Sequence, residues 1–143
     1  MKELTLALLI WINGHTPLAY EDTPLPSVTT ASQQELQRIR FSGDMPEGIE
    51  TDTANTVGVY VFQERKIYVW EDYDFDTVEG KAALVHELVH YLQYENGLHK
   101  SVDCTAQLEL AAYNAEAKYL KQHGKQPKFD GMHIVLSSMC WDA

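Results

Sequence analysis

The sequence predicts an α+β fold in which a small antiparallel sheet, containing one hairpin, packs against two long helices. Three observations lead to this class. Residues 57–62 and 66–70 are rich in β-branched and aromatic side chains, which favour strands. From residue 76 onwards, apolar side chains recur every three or four positions, as they do on a helix that buries one face. The length of 143 residues suits one domain, which we predict over residues 1–143.

The net negative charge of the chain makes some classes of binding partner unfavourable. Lysine and arginine number 11 against 21 aspartate and glutamate residues, which gives a formal net charge of −10. Such a chain repels phosphate backbones and anionic lipid headgroups. We therefore expect neither nucleic acid nor a membrane surface as a partner.

The chain begins with an apolar run at residues 4–12, preceded by Lys2. We predict an amphipathic helix that ends at Gly14, because glycine commonly follows the last turn of a helix. The alternative is the start of a secretory signal. The nearest small residue at which a signal could be cleaved, Ala19, has Pro17 two positions before it, and the run is too short to span a bilayer.

The next elements are short. Residues 16–30 are predicted to form an irregular connection that ends in a strand at 27–30. Ser32 followed by Glu35 is a capping-box pattern, which predicts a helix over residues 33–40. Residues 42–56, with scattered glycine, proline, aspartate and threonine, are predicted to be a loop.

The strands at 57–62 and 66–70 are separated by three residues, which predicts a hairpin. Their alternation predicts an aliphatic face and an aromatic face. The aliphatic face comprises Val57, Val59, Val61, Ile67 and Val69, and the aromatic face comprises Tyr60, Phe62, Tyr68 and Trp70. The aromatic face is interpreted as core, and the alternative is the border of a cleft where an extended peptide pairs with an edge strand.

Two helices are predicted beyond the hairpin. The first begins near Asp76 and is ended by Gly97. The second is capped by Asp103 and ends at His123–Gly124. The last segment, residues 132–140, alternates weakly, so it is expected to return as a strand or to pack as irregular chain.

The first of these helices carries the motif His86-Glu87-Leu88-Val89-His90. Residues four apart on a helix project side by side, so both imidazoles can bind one zinc ion. Glu87 is rotated away from both histidines and is positioned to act as a general base on a water molecule bound to the metal. The alternative is a helix whose two histidines and glutamate simply face water.

A catalytic zinc site needs a third protein ligand. Position 96, where a third histidine would stand in one version of the motif, is Asn96. Glu109 and Glu116 on the next helix are seven residues apart and share a face. We prefer Glu109, because it lies nearer the turn after Gly97, and we interpret Glu116 as a solvated or supporting carboxylate.

Hydrolysis also needs a group that stabilises the negative charge formed on the carbonyl oxygen, and the sequence offers several residues for this role. Tyrosine or histidine commonly has this role, and Tyr113, His123 and His133 are the candidates.

Cys104 and Cys140 are either two buried thiols or a disulfide. A further alternative is that one thiolate approaches the zinc and blocks its open position.

His86 to His90 followed by Glu109 resembles the gluzincin class of zinc metallopeptidases. More closely, the sequence resembles a family of small bacterial zincin-like proteins that has no established substrate. The resemblance covers most of the chain. It is carried by Trp11-Ile12, residues 84–93, residues 104–109, Ala112-Tyr113, Tyr119-Leu120 and Cys140.

The resemblance implies a compact zincin-like α+β fold and a disulfide between Cys104 and Cys140. It also implies differences from the larger gluzincins. No aspartate stands four residues after Glu109 to hold a zinc histidine, because that position is Tyr113. No downstream domain is expected to supply an electrophile.

The function expected from these residues is zinc-dependent hydrolysis, most simply of peptide or protein substrates, with one zinc ion per chain. One alternative is a zincin-fold module that binds metal but is latent and acts through protein interaction. Another is an interaction protein without metal. Glu87 favours the enzyme, because metal binding alone does not require it. If Cys104 and Cys140 are bonded, export to the periplasm or the extracellular space is favoured over the cytoplasm.

Overall fold

The computed structural model describes residues 1–21, 23–40 and 57–140. Within these ranges the chain forms five α-helices and a three-stranded sheet, which confirms the α+β class. The elements are α1 (Lys2–His15), β1 (Ser27–Ala31), α2 (Gln33–Arg40), β2 (Gly58–Val61), β3 (Lys66–Trp70), α3 (Val78–Glu95), α4 (Glu109–Gln122) and α5 (Gly131–Ser137). Three short 3-10 helices lie at Phe62–Glu64, Leu98–Lys100 and Thr105–Leu108. The predicted loop at 42–56 lies outside the described residues.

The sheet has the strand order β1-β3-β2 and is mixed. The hairpin β2–β3 is antiparallel as predicted, but β1 pairs with β3 in parallel. The prediction of an antiparallel sheet was therefore wrong for β1. Parallel neighbours need a long connection, and the chain from Ala31 to Lys66, which includes α2 and β2, is long enough to supply it.

The predicted division of the hairpin into an aliphatic and an aromatic face was also wrong. Tyr60 is paired with Ile67, and Val59 is paired with Tyr68. Directly opposed residues share a face of an antiparallel pair, so each face carries both kinds of side chain. The register is set by the turn, where Arg65 adopts a left-handed conformation with φ of 48°.

Helix α1 confirms the predicted N-terminal helix, although Gly14 does not end it. The helix continues to His15, and the capping residue Thr16 is extended. Helix α2 has the predicted bounds, and the Ser32 hydroxyl accepts the backbone N–H of Glu35 at 3.2 Å. Among the helices of the described residues, none has the length and apolar composition that a membrane crossing requires.

Helix α3 begins after Thr77, whose hydroxyl accepts the N–H of Gly80 at 3.0 Å. It ends as predicted before Gly97, which has φ of 74°. Asp103 does not cap the next helix. Residues 105–108 instead form a 3-10 helix with Cys104 as its cap, and α4 follows directly and ends before His123 as predicted.

The segment after residue 130 is a helix, so the expectation of a strand or irregular chain was wrong. The Asp130 side chain accepts the backbone N–H of His133 at 2.9 Å and starts α5. This N-terminal cap decides the conformation where the weak apolar alternation does not.

Helix α3 lies at the centre of the molecule and contacts α1, α4, β2 and β3. Its fully buried apolar side chains include Leu84, Val85, Leu88, Val89 and Leu92. Ala112 and Ala115 form the facing surface of α4. Because alanine side chains are small, the two long helices can approach closely, which places the polar residues between them within reach of one another.

The start of α3 leaves no room for a side chain at Gly80. A Cβ atom there would lie 2.0 Å from the backbone oxygen of Asp74. We expect Gly80→Ala to lower the free energy of unfolding by about 1–3 kcal/mol, because the backbone must shift to relieve the overlap. Urea unfolding followed by circular dichroism measures this change.

Gly14→Ala is the matched control, because it also lies in a helix but has nothing within 4 Å of its Cβ position. There the substitution should be neutral or stabilising by up to about 1 kcal/mol. Equal effects of the two substitutions would contradict the close packing at Gly80.

Candidate metal centre

Helix α3 places His86 and His90 one turn apart, as the motif predicts. The centroids of their rings are 5.1 Å apart, and both rings lie at the boundary with α4. Four residues advance an α-helix by slightly more than one turn. The two Nε2 atoms can therefore approach the same point.

Glu109 completes the cluster from the first turn of α4. Its Oε2 atom lies 3.3 Å from Nε2 of His86, and its Oε1 atom contacts Nε2 of His90. One potential ligand atom from each of the three residues lies within 4.8 Å of the others. The structure thus brings together the three residues that the sequence singled out, with Glu109 rather than Glu116 in the third position.

Two further side chains orient the imidazoles. Nδ1 of His86 is 2.8 Å from Oε1 of Glu116, and Nδ1 of His90 is 2.9 Å from Oε1 of Gln93. Gln93 in turn donates from Nε2 to the backbone oxygen of Leu108 at 2.9 Å. This amide therefore links His90 to the residue directly before Glu109.

These contacts test whether a metal ion fits the cluster. Carboxylate and amide oxygens accept from Nδ1–H of both imidazoles, so replacement of the Nε2 proton by a metal ion would leave each ring as the Nδ1–H tautomer with its Nε2 lone pair on the side of Glu109. Two imidazole nitrogens and one carboxylate are a donor set that divalent metals accept. The residues therefore fit a metal ion, and their outer contacts are those that metal ligands usually make.

Of the outer contacts, sequence reasoning anticipated Glu116 as a supporting carboxylate but missed Gln93. The signal for Gln93 is its position three residues after His90 on the same helix, where the two side chains are neighbours.

Glu87 is only 3% exposed, and Oε2 of its carboxylate lies 3.9 Å from Nε2 of His86. It faces Gly58 on the edge strand β2. A Cβ atom at Gly58 would lie 2.8 Å from Cγ of Glu87 and 2.8 Å from the backbone oxygen of Tyr68. The glycine therefore makes the space that the Glu87 side chain occupies. No sequence pattern pointed to Gly58, because this contact depends on how the sheet packs on α3.

The pKa values reflect the burial of the cluster. Burial raises the pKa of Glu87, against the opposing effect of the two imidazoles. Burial also acts to raise the pKa of Glu109, but hydrogen bonds from His86 and His90 outweigh it and lower that pKa. For His86, burial acts to lower the pKa, and the carboxylates of Glu109 and Glu116 raise it well above its usual value. The carboxylates thus favour positive charge at the point where the imidazoles meet.

Of the candidate oxyanion stabilisers, Tyr113 and His133 lie together beside the cluster. The Tyr113 ring meets the His86 ring edge-on with centroids 4.6 Å apart, and its hydroxyl is 3.2 Å from Nε2 of His133. Burial, followed by the charge of Glu109, raises the pKa of Tyr113 to about 12, so the hydroxyl keeps its proton.

His123, the third candidate for stabilising the oxyanion, does not lie beside the cluster. Its ring stacks on Tyr119, with centroids 4.2 Å apart, and its Nδ1 atom lies 2.8 Å from the backbone oxygen of Tyr119. It does not line the cleft that contains the cluster.

Cys104 and Cys140 form a disulfide with a Cα–Cα distance of 5.8 Å, so neither sulfur is a thiolate ligand. The bond joins the start of the 3-10 helix before Glu109 to the segment after α5. Disulfides persist in oxidising compartments, so this pairing is weak support for export.

The cluster lies in a cleft of about 740 Å³. Its walls come from β2, α3, α4 and α5 together with the segment between α4 and α5. This volume is within the range of small-molecule and peptide sites in enzymes.

The fold and the cluster define an α+β protein with a candidate metal site of two histidines and one glutamate. The chain belongs to the family described as Domain of unknown function (DUF6647), whose model matches residues 1–143. No curated protein and no solved structure matches the chain.

We expect the metal-free protein to bind one divalent metal ion per chain, and Glu109→Ala to weaken that binding more than Glu116→Ala. The first substitution removes a charged ligand, whereas the second removes a contact that orients one. Loss of such an outer contact typically costs 10- to 100-fold in affinity. Competition titration of zinc against a chromophoric chelator measures both.

Glu79→Ala is a suitable control, because Glu79 lines the same cleft but does not contact the cluster. A greater loss for Glu116→Ala than for Glu109→Ala would reassign the third ligand.

Proposed function

We propose that this protein is a zinc-dependent hydrolase of peptide bonds. His86, His90 and Glu109 would hold the zinc ion. Zinc, when bound, supplies a Lewis acid that lowers the pKa of water to near neutrality. The remaining chemistry is assigned to residues of the chain itself.

The observation that carries this proposal is the placement of Glu87. Its carboxylate is not among the ligand atoms that converge, yet it is buried beside them and opens into the same cleft. The ion pair of this carboxylate is the 3.9 Å approach to Nε2 of His86, and a carboxylate so deeply buried is costly to keep. A carboxylate in this position, beside the proposed metal ligands but not one of them, would be well suited to act as a general base on a water molecule in the cleft.

In the proposed reaction, Glu87 accepts a proton from the attacking water while the water oxygen bonds to the peptide carbonyl carbon. Tyr113 is proposed to donate a hydrogen bond to the carbonyl oxygen as negative charge develops on it, while Nε2–H of His133, 3.2 Å from the Tyr113 hydroxyl, donates to the tyrosine oxygen. Glu87 then gives the proton to the amine as the carbon–nitrogen bond breaks. The second proton of the water leaves the new carboxyl group and is taken up by the amine, so the two products are a carboxylate and an ammonium group.

The substrate is proposed to bind along β2. Among the strands of the described residues, β2 lies at the edge of the sheet, and residues 57–60 line the cleft. An edge strand presents unpaired backbone groups that an extended peptide can pair with. Tyr60 forms part of this border, as the second interpretation of the hairpin suggested, but it does so without Tyr68 and Trp70.

We expect Glu87→Gln to retain zinc and to lose hydrolysis by about 100- to 10,000-fold, because an amide cannot accept the proton. Mass-spectrometric analysis of a peptide mixture, incubated with zinc-loaded parent and variant at matched metal content, measures the difference. Equal activity would show that Glu87 is not the base. Absence of hydrolysis by the zinc-loaded parent protein would favour the alternative hypothesis, a module that binds metal but is catalytically latent.

We also expect Gly58→Ala to reduce kcat by about 10- to 1,000-fold with little change in zinc affinity. The added methyl group would displace Glu87 from the cluster, and small misplacements of a catalytic group have effects of this size. Unfolding measurements separate this effect from loss of stability. Full activity in a folded Gly58→Ala variant would contradict the proposed position of the base.

A further inference from the structure

The cleft extends along α3 beyond the metal cluster. At one end, Glu79 in the first turn of α3 and Lys125 after α4 both line it. At the other end the lining residues include Tyr94 near the end of α3 and Thr105. His86 and His90 lie between these ends, so a ligand that fills the cleft passes the cluster and reaches both.

The charged side chains that line the cleft are not spread evenly along it. The described lining carries three cations and four carboxylates, although the whole chain has 11 basic residues against 21 acidic ones. Two of the three cations, Lys125 and Lys128, belong to the segment after α4, and Lys125 reaches Glu79 at the start of α3. The segment after α4 therefore supplies this end of the cleft with positive charge.

The two lysines at this end are accessible to a ligand. Nζ of Lys125 is 3.7 Å from Oε2 of Glu79, and both side chains are about half exposed, at 50% and 46%. Exposed pairs of this kind are weak, because water screens the two charges, so the pair can open to admit another carboxylate. Lys128 is exposed and has no ion pair within the part of the chain that the structure describes.

The spacing between this end and the cluster can be read from the helix. Glu79 and His86 are seven residues apart on α3, which corresponds to about 10 Å at 1.5 Å per residue. An extended peptide advances about 3.3 Å per residue. A side chain that reaches the lysines therefore belongs to a residue about three positions from the bond held at the cluster.

We propose that the cleft selects peptides that carry a carboxylate about three residues from the scissile bond, and that Lys125 and Lys128 bind this carboxylate. The inference rests on the proposed peptidase function for the position of the scissile bond. The carboxylate comes either from an aspartate or glutamate side chain or from the C-terminus of the peptide. Both sources present the same charge to the same two ammonium groups.

The test uses the full-length zinc-loaded protein and peptides that differ only in the residue about three positions to either side of the cleaved bond. These carry glutamate, glutamine or lysine, each with a free or an amidated C-terminus. We expect kcat/KM to be about 5- to 20-fold higher with glutamate than with glutamine, in line with two partly exposed ion pairs. The preference should fall as salt is added, because salt screens exposed charges.

Comparison of peptides with a free and an amidated C-terminus distinguishes the two sources of the carboxylate. A preference that survives amidation assigns the site to an acidic side chain. Faster cleavage of the free than of the amidated peptides, with glutamate and glutamine alike, assigns it to the C-terminal carboxylate. Equal rates for all charge forms would overturn the proposal while leaving the peptidase function intact.

The Lys125→Gln/Lys128→Gln double variant should lose the preference and retain hydrolysis of the neutral peptide. The matched control is Lys100→Gln/Lys121→Gln, which removes the same charge from two exposed lysines outside the cleft. The control should keep the preference. Loss of the preference in both variants would show that net charge, rather than this site, is responsible.

If the protein hydrolyses none of the peptides, a binding measurement still tests whether the two lysines bind a carboxylate. Fluorescence anisotropy of the labelled glutamate and glutamine peptides is measured with the zinc-loaded parent, the cleft variant and the control. Tighter binding of the glutamate peptide that only the cleft variant loses would support the lysine site in a non-catalytic protein. Equal binding of both peptides would overturn it, independently of the result for hydrolysis.

Discussion

The burial of charged side chains between α3 and α4 is the constraint on which the rest of the structure depends. His86, Glu87 and Glu116 are each less than 10% exposed and lie beside a core of leucine, valine and alanine. Removing an ion from water costs several kcal/mol unless it is paired. The helices are therefore held in the one relative position that gives these groups partners. Ala112 and Ala115 permit the close approach that this position requires.

The wall of the cleft formed by α5 is stabilised in a different way. None of its residues is buried, and it packs mainly on α4. The Asp130 cap, the contact of His133 with Tyr113 and the nearby disulfide take the place of a hydrophobic core. A short helix attached by such contacts can change its sequence at little cost to the fold. The described residues thus combine a buried candidate metal site with a cleft wall that has no buried residue.

The sequence predicted those features that depend on residues close together along the chain. The helix at 33–40, the hairpin, the glycine that ends α3 and the spacing of His86 and His90 belong to this class. The parallel pairing of β1, the register of the hairpin and the contact between Gly58 and Glu87 depend on packing between distant segments. Helix α5 was missed because a cap at Asp130 outweighs a weak apolar pattern.

The order of side chains along α4 connects the support of His86 with the chemistry proposed above. Tyr113 lies four residues after Glu109 and Glu116 lies seven residues after it, and Nδ1 of His86 is 2.8 Å from Oε1 of Glu116. Positions four and seven after a residue lie on the same helix face, about one turn apart. Because the carboxylate that orients His86 comes from position 116, Tyr113 can lie against the His86 ring and reach His133. One face of α4 therefore supplies Glu109 to the cluster, a carboxylate that orients a histidine of the cluster, and a hydroxyl group beside both.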